Sequence, residues 1–214
     1  MSAAPAPRPR RAYTSPRRRQ QAAETRAAVQ ATAAALFSEK GWAATGMRDV
    51  ATAAGVSVET VYASFGSKAD LLMAALDMAV VGDVLPVPLA GRAEFTVLGE
   101  GRPAERAAAA AGLVTQVHTR TAGIYLALRE AAAADPGLAG RMRESEQRRR
   151  ASAEQGMALV AGRPVTPRER DGLWAVTGVE VYQLLTELAG WTPAEYQAWL
   201  AGVIARLLGL DAAS

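Results

Sequence analysis

The chain has no cysteine, a single histidine and two lysines, Lys40 and Lys68, among its 214 residues. The first absence excludes disulfides, thiolate nucleophiles and thiolate metal sites, and it accords with a reducing cytoplasm, where the protein is expected to reside. The scarcity of histidine is nearly as restrictive. His118 has no cysteine near it and no Glu-rich or His-rich helix pair to help it hold a transition metal, and triads built on histidine have only this one position available. No glycine-rich loop follows a strand to cradle nucleotide phosphates. Catalytic residues, metals and cofactors are therefore not expected. Long apolar runs are missing as well: Asp77 interrupts the best one, Leu71 to Val81, well short of the ~18 residues a membrane span needs. No membrane partner follows from such a sequence. Sustained alternation of apolar and polar residues is also lacking, which leaves strands without support and points to an all-α fold.

Half the positions are hydrophobic, enough to bury a core. The formal charge of +3 is unevenly placed: seven arginines (Arg8, Arg10, Arg11, Arg17, Arg18, Arg19 and Arg26) face only Glu24 within residues 1–26, a local +6 that leaves −3 for the rest. Such a basic arm suits a polyanion, because each phosphate neutralised releases condensed counterions. Low hydrophobicity and the Pro/Arg content predict that residues 1–21 are a disordered arm, with structure starting near Glu24. Although the first residues are Arg-rich and acid-free, prolines break any amphipathic helix and no apolar stretch follows, so neither a transit peptide nor a secretory signal is expected.

Helix signals then come in close order. Val29, Thr32, Ala33, Leu36 and Phe37 form one apolar stripe that Gly41 ends. A short helix from about Met47 to Ala54 carries Val50, Ala51 and Ala54, and Gly55 suits the left-handed turn after it. Ser57 is placed to cap a helix from Val58 to Ser64, and Ser67 with Asp70 opens another that runs to about Gly82. Ala51, Gly55, Val56, Val61 and Phe65 have the sizes and spacing of the inner corner of a helix-turn-helix. Arg48, Ser57, Val58, Glu59, Thr60, Tyr62, Ala63 and Ser64 then remain to face outward. Pro86, Pro88 and Gly91 mark a boundary, giving a head over residues 22–82 and a helical body over 83–214. Within the body, Pro103 and Asp135-Pro136 delimit long helices, the second to about Ala161. Thr166-Pro167-Arg168-Glu169 and Thr192-Pro193-Ala194-Glu195 each combine a cap, a first-turn proline and a capping-box glutamate. The last helix, with Tyr196, Trp199, Leu200, Val203, Ile204, Leu207 and Leu208, has an apolar stripe wide enough to require a partner surface.

The stretch GVSVETVYASFGSKADLL, residues 55–72, preceded by TGMRDVATAA from Thr45, resembles the DNA-binding module of the TetR family of transcriptional regulators. WAVTGVEVYQLL from Trp174 and GWTPAEYQAWLAG from Gly190 are similar, less specifically, to the ligand domains of that family. The resemblance implies a homodimer paired through its last two helices, double-stranded DNA as partner, and a small-molecule effector bound in the body, in most cases with repression as the outcome. It further implies that Thr60, Tyr62 and Lys68 hold phosphates while Arg48, Val58, Glu59 and Ala63 face bases. Arg48 suits guanine and Glu59 suits cytosine.

Departures from the family pattern are Gly46 where Ser or Thr usually caps the second helix, with Thr45 as an expected substitute, and the small or apolar Val58, Ala63 and Ser64 on the reading helix. The contact surface is sparse and residues 39–77 are slightly acidic, so affinity is expected to lean on Arg17 to Arg19. That sparseness motivates a different reading, a helical small-molecule-binding protein or enzyme with a vestigial helix-turn-helix. An activator and a ligand-blind repressor are further possibilities within regulation. For the ligand pocket, His118, Tyr125, Trp174 and Tyr182 are nominated, being polar-tipped aromatic residues on body helices. The run Arg141, Arg143, Arg148, Arg149 and Arg150 reads as a solvated helix face.

Overall fold

The structure, a computed structural model, describes residues 16–83 and 89–210. They form ten α-helices joined by short 3-10 and π segments, and no strand occurs among the described residues. α1 spans Pro16–Lys40, α2 Met47–Ala53, α3 Val58–Phe65 and α4 Lys68–Val81. After a brief α5 (Ala93–Thr96) come the long α6 (Pro103–Ala134) and α7 (Pro136–Ala161), then α8 (Pro167–Val176), α9 (Val179–Gln183) continued by a π segment over Leu184–Leu188, and α10 (Pro193–Leu208). The expected all-α fold is what the chain adopts.

Local signals explain the boundaries of the head. Ser57 accepts a hydrogen bond from the Thr60 amide and Ser67 one from the Asp70 amide, each satisfying a donor that the first turn of a helix leaves free. Gly55 takes φ +67° between α2 and α3, a left-handed conformation that costs a residue with a Cβ. The start of α2 differs from expectation. Thr45 does not cap it; its side chain is buried and donates instead to the Leu36 carbonyl at 3.2 Å. Asp49 reaches back to the Gly46 amide at 2.7 Å, so the free donor outside the helix is met from within its first turn.

α1 also departs from expectation. It begins at Pro16, ahead of Glu24, so residues 16–21 of the expected disordered arm are helical, while residues 1–15 lie outside the described ones. The reason is compositional: the Arg, Gln and Ala residues that follow Pro16 are good helix formers, and a proline at a helix start gives up no bonded amide. The expected boundary over residues 83–91 falls partly on residues 84–88, which are likewise outside the described set.

α6 is the spine. It packs against α1, α4, α7, α9 and α10, and one continuous core runs from Val29, Phe37, Val61 and Leu72 in the head to Ile124, Leu128, Leu173, Tyr196 and Ile204 in the body. Close approach is a condition of this packing. A Cβ on Gly123 of α6 would sit 2.8 Å from the Ser38 Cα of α1, so the two helices meet at a distance that only glycine permits. Gly55→Ala, which meets no atom but keeps the positive φ, is expected to cost about 1–2 kcal/mol of stability, read as a lower denaturation midpoint with an unchanged slope.

Candidate nucleic-acid interface and ligand cavity

The corner of the head closes as its sequence predicts. Val50, Ala51, Val61 and Phe65 are buried and Val56 is half-buried among them. Packing these residues inward turns Tyr62 out, to 51% exposure, together with Arg48, Glu59 and Ala63. Ser57 is exposed too, yet its hydroxyl is partly engaged, capping α3 and lying 3.0 Å from the Thr60 hydroxyl. Val58, Thr60 and Ser64 are half-buried, Val58 against the core. Arg26 of α1, which sequence reasoning did not single out, donates to the Ser64 carbonyl and stacks its guanidinium 4.1 Å from the centre of the Phe65 ring. The reading helix is thereby braced from behind.

Lys68 is less free than the sequence suggests. Its ammonium donates to the Trp42 carbonyl and lies 4.0 Å from the centre of the Trp42 ring, and burial holds its pKa below the usual value against the pull of Glu130 and Asp49. Both oxygens of Glu130, from α6, accept the amides of Trp42 and Ala43 at 2.8 and 3.2 Å. Body helix, α1–α2 turn and the first turn of α4 therefore converge on Trp42.

A cavity of about 470 Å³ opens in the body between α4, α5, α6 and α7. Its wall is largely apolar, with Phe95, Leu98, Leu113, Val114, Val117 and Met157 prominent. Of the four nominated residues, His118 and Tyr125 line it and Trp174 and Tyr182 do not. Trp174 instead lies beside Arg149, whose guanidinium carbon is 5.2 Å from its ring centre. Tyr182 packs against His118 and Tyr196 at ring separations of 5.5 and 5.0 Å, its hydroxyl 3.1 Å from that of Thr119. Both are polar-tipped aromatics used as packing elements, the commoner fate of such residues.

The arginine run is in part the solvated face expected of it, with Arg143 and Arg148 exposed, but others of its members make contacts across helices. Arg148 and Arg149 border the cavity. Arg149 bonds Glu146 at 2.9 Å and donates to the Trp174 and Thr177 carbonyls at 3.0 and 3.4 Å, while Arg150 pairs with Asp171 and Arg141 with Asp70 of α4. α7 is thus fastened to α8 and to the first turn of α4. The face that α7 turns to the cavity includes the small residues Ser145, Ser152, Ala153 and Gly156, and a Cβ on Gly156 would come 3.2 Å from the Phe95 ring, so this glycine lets Phe95 close on the helix. Asp77 of α4 also lines the cavity; burial holds its carboxyl above the usual range, with Arg148 and Arg141 opposing. Tyr125 is shifted up for the same reason, the Glu146 charge adding to burial.

His118 is the most constrained polar group. Its Nε2 is 3.0 Å from the Thr177 carbonyl oxygen, and Nδ1 is buried with no partner. Burial lowers its pKa from the ordinary 6.5 to about 4, opposed by the bond to Thr177 and helped by Arg149. Among the described residues no group of three His, Asp or Glu side chains is arranged to hold a metal, and no helix is long and apolar enough to cross a membrane.

Comparison with known proteins gives the same picture. Residues 30–75 match the family model for bacterial regulatory proteins of the tetR family. No curated protein matches the chain. Among solved structures, a TetR-family transcriptional regulator from Rhodococcus sp. is 20% identical, with 86% of this chain and 98% of that one covered at a TM-score of 0.66. A second transcriptional regulator, from Rhodococcus sp. Rha1, is 22% identical over 85% of this chain and 95% of its own, at a TM-score of 0.60. The multidrug binding protein EbrR, solved with imidazole, is 23% identical over 93% and 96%, at a TM-score of 0.55. The fold is that of these regulators, and the head matches the tetR family model over residues 30–75.

The His118 environment generates a test. In the window between its ordinary and its lowered pKa the unfolded chain binds a proton that the folded chain refuses, so stability is full above about pH 6.5 and falls as pH drops to about 4. Relative to His118→Gln, which does not titrate, the native chain is expected to lose about 3 kcal/mol between pH 7 and pH 4 in paired urea unfolding curves. Parallel pH profiles for the two proteins would contradict the buried, neutral ring.

Proposed function

We propose that this chain, whose head matches the tetR family model, is a ligand-responsive transcriptional repressor that binds a palindromic operator as a homodimer in the cytoplasm. The observation that carries the reading is the span of α4: it opens at Lys68, three residues after the reading helix α3 ends, and farther along lines the body cavity with Asp77, Val80 and Val81. An occupant of the cavity and a half-site of DNA thus press on the two ends of one helix. The reading has no catalytic step.

On DNA, Arg48 and Glu59 take base edges, with Val58 and Ala63 against them, while Ser57, Thr60, Tyr62, Ser64 and Lys68 lie towards phosphates. The few polar groups on α3 leave affinity to other contacts. Arg17, Arg18 and Arg19 sit exposed at the start of α1, where the positive end of the helix dipole disfavours them, and a phosphate backbone nearby relieves that conflict. The dimer forms through the last two helices. In support, Leu184, Leu188 and Leu207 are exposed there, at 55, 79 and 38%, with Val203 and Trp199 half-buried beside Leu207 in α10. Heads of such a dimer reach half-sites about 34–36 Å apart, and a small rotation of α4 breaks their spacing. A coupling of ~1–3 kcal/mol weakens operator binding by roughly 5–150-fold, enough for derepression.

Selection of bound sequences from a random DNA pool is expected to yield a palindrome that the protein prefers to random DNA by ~10³ or more at physiological salt. Arg48→Ala combined with Tyr62→Phe should weaken binding to it at least about tenfold. Recovery of no common sequence would overturn the regulator reading. Leu188→Arg, at the most exposed of the leucines, is expected to yield monomers in sedimentation and to lose operator binding with the fold intact; a dimer that persists would place the interface elsewhere.

A further inference from the structure

Several polar groups of the cavity are already engaged, those nearest His118 among them. Arg149 is held by Glu146 and by two backbone carbonyls, and one of these, that of Thr177, also lies 3.0 Å from His118 Nε2. A carbonyl oxygen only accepts, so Nε2 carries the proton of the neutral ring, and Nδ1 is left as a bare acceptor. That nitrogen is buried without a partner, on a side chain that lines an otherwise mostly apolar wall. A buried acceptor with nothing to accept is costly to leave and is relieved by any guest that brings a donor.

Resting on the reading of this cavity as the effector site, we infer that its ligand is a largely apolar, uncharged molecule bearing a hydroxyl, phenolic or alcoholic, whose O–H donates to His118 Nδ1. The volume of about 470 Å³ admits a small ring system and lies within the range of small-molecule sites. Charge chemistry narrows the class from both sides. A carboxylate has no proton to offer the Nδ1 lone pair at neutral pH, and of the two arginines that line the wall Arg149 is already bonded to Glu146 and Arg148 acts on the Asp77 carboxyl. An ammonium group would stand against both guanidinium groups, and the carboxyl that lines the wall, Asp77, already has Arg148 and Arg141 acting on it. A neutral hydroxyl satisfies the acceptor without either conflict, and the apolar remainder rests on Phe95, Leu113, Val117 and Met157.

Because His118 is the only histidine, the chain labelled with ¹⁵N-histidine gives one pair of ring nitrogen signals. At neutral pH and without DNA, we expect the Nε2–H neutral tautomer, and addition of para-phenylphenol should move the Nδ1 resonance upfield, as a nitrogen that has begun to accept a hydrogen bond. Its methyl ether should leave that resonance in place. In titrations followed by tryptophan fluorescence, the phenol should bind about tenfold more tightly than the ether or the matching biphenyl carboxylate. The preference should vanish in His118→Phe, whose folding is checked by circular dichroism. An Nδ1–H tautomer, equal affinity for phenol and ether, or tightest binding by the carboxylate would overturn the inference. These readouts need no DNA: their failure with a selected operator in hand sinks the ligand class alone, whereas failure to select an operator sinks the regulator reading alone.

Discussion

Glu130 sits near the C-terminal end of the body's central helix, yet its carboxylate is spent on the head. Both oxygens hold backbone amides of the α1–α2 turn, at Trp42 and Ala43. The grip depends on the residue before them: Gly41 has φ +75°, and a Cβ there would come within 3.0 Å of Glu130 Oε2. Lys68 completes the arrangement from the other side, bonded to the Trp42 carbonyl and stacked on its ring. These contacts are partly exposed, so their yield in stability is small. What they fix is position. A turn in the head, the first residue of α4 and the spine of the body share one indole, and none of the three can move without the others.

The same logic recurs along α4. Arg120 of α6 donates to the Ala79 and Val80 carbonyls near its C-terminal end, where a cation also complements the helix dipole. Arg141 of α7 bonds Asp70 in its first turn at 2.8 Å, and Asp70 in turn bonds the Ser67 hydroxyl. Between these fasteners the helix buries Leu71, Leu72, Ala75, Leu76 and Ala79. A helix pinned at both ends and packed along its length does not bend in response to a small force; it shifts between discrete seatings, as packed interfaces do. That property suits an element with a cavity at one end and a reading helix at the other.

The parts of this structure that were legible in the sequence are those governed by local rules. The helix-turn-helix was readable because its determinants, a small Ala51, a left-handed Gly55, a capping Ser57 and inward Val61 and Phe65, act within a few residues of each other. The body helices were readable for the same reason, since Thr-Pro-x-Glu places cap, proline and glutamate in one turn. The misreadings involve partners distant in sequence. Nothing near Arg149 announces the Trp174 carbonyl, and nothing near Arg141 announces Asp70, so only the exposed part of the arginine run was legible and its ties to other helices were not. Trp174 and Tyr182 show the converse: their polar tips suggested a ligand, yet they lie outside the cavity lining, and tertiary packing uses their faces. The residues that α7 turns to the cavity include small ones, Ser145, Ser152, Ala153 and Gly156, a matter of size rather than chemistry.

Size and packing also decide which wall of the cavity yields. Behind His118 an aromatic column runs through Tyr182 and Tyr196 to Trp199, with ring separations of 5.5, 5.0 and 6.0 Å, and Tyr196 is wholly buried. Close-packed aromatic rings of this kind transmit displacement with little compression, so that wall is stiff and is tied to α10. Another part of the lining comes from α4, which contributes the exposed Asp77 and the half-buried Val80 and Val81. On the reading proposed above, a guest bonded to His118 rests against the aromatic side, and whatever displacement it imposes on α4 moves that pinned helix as a unit from one seating to another. The polar anchor and α4 thus line one cavity, and on that reading what binding can change is the seating of α4, because the aromatic side has no slack to give.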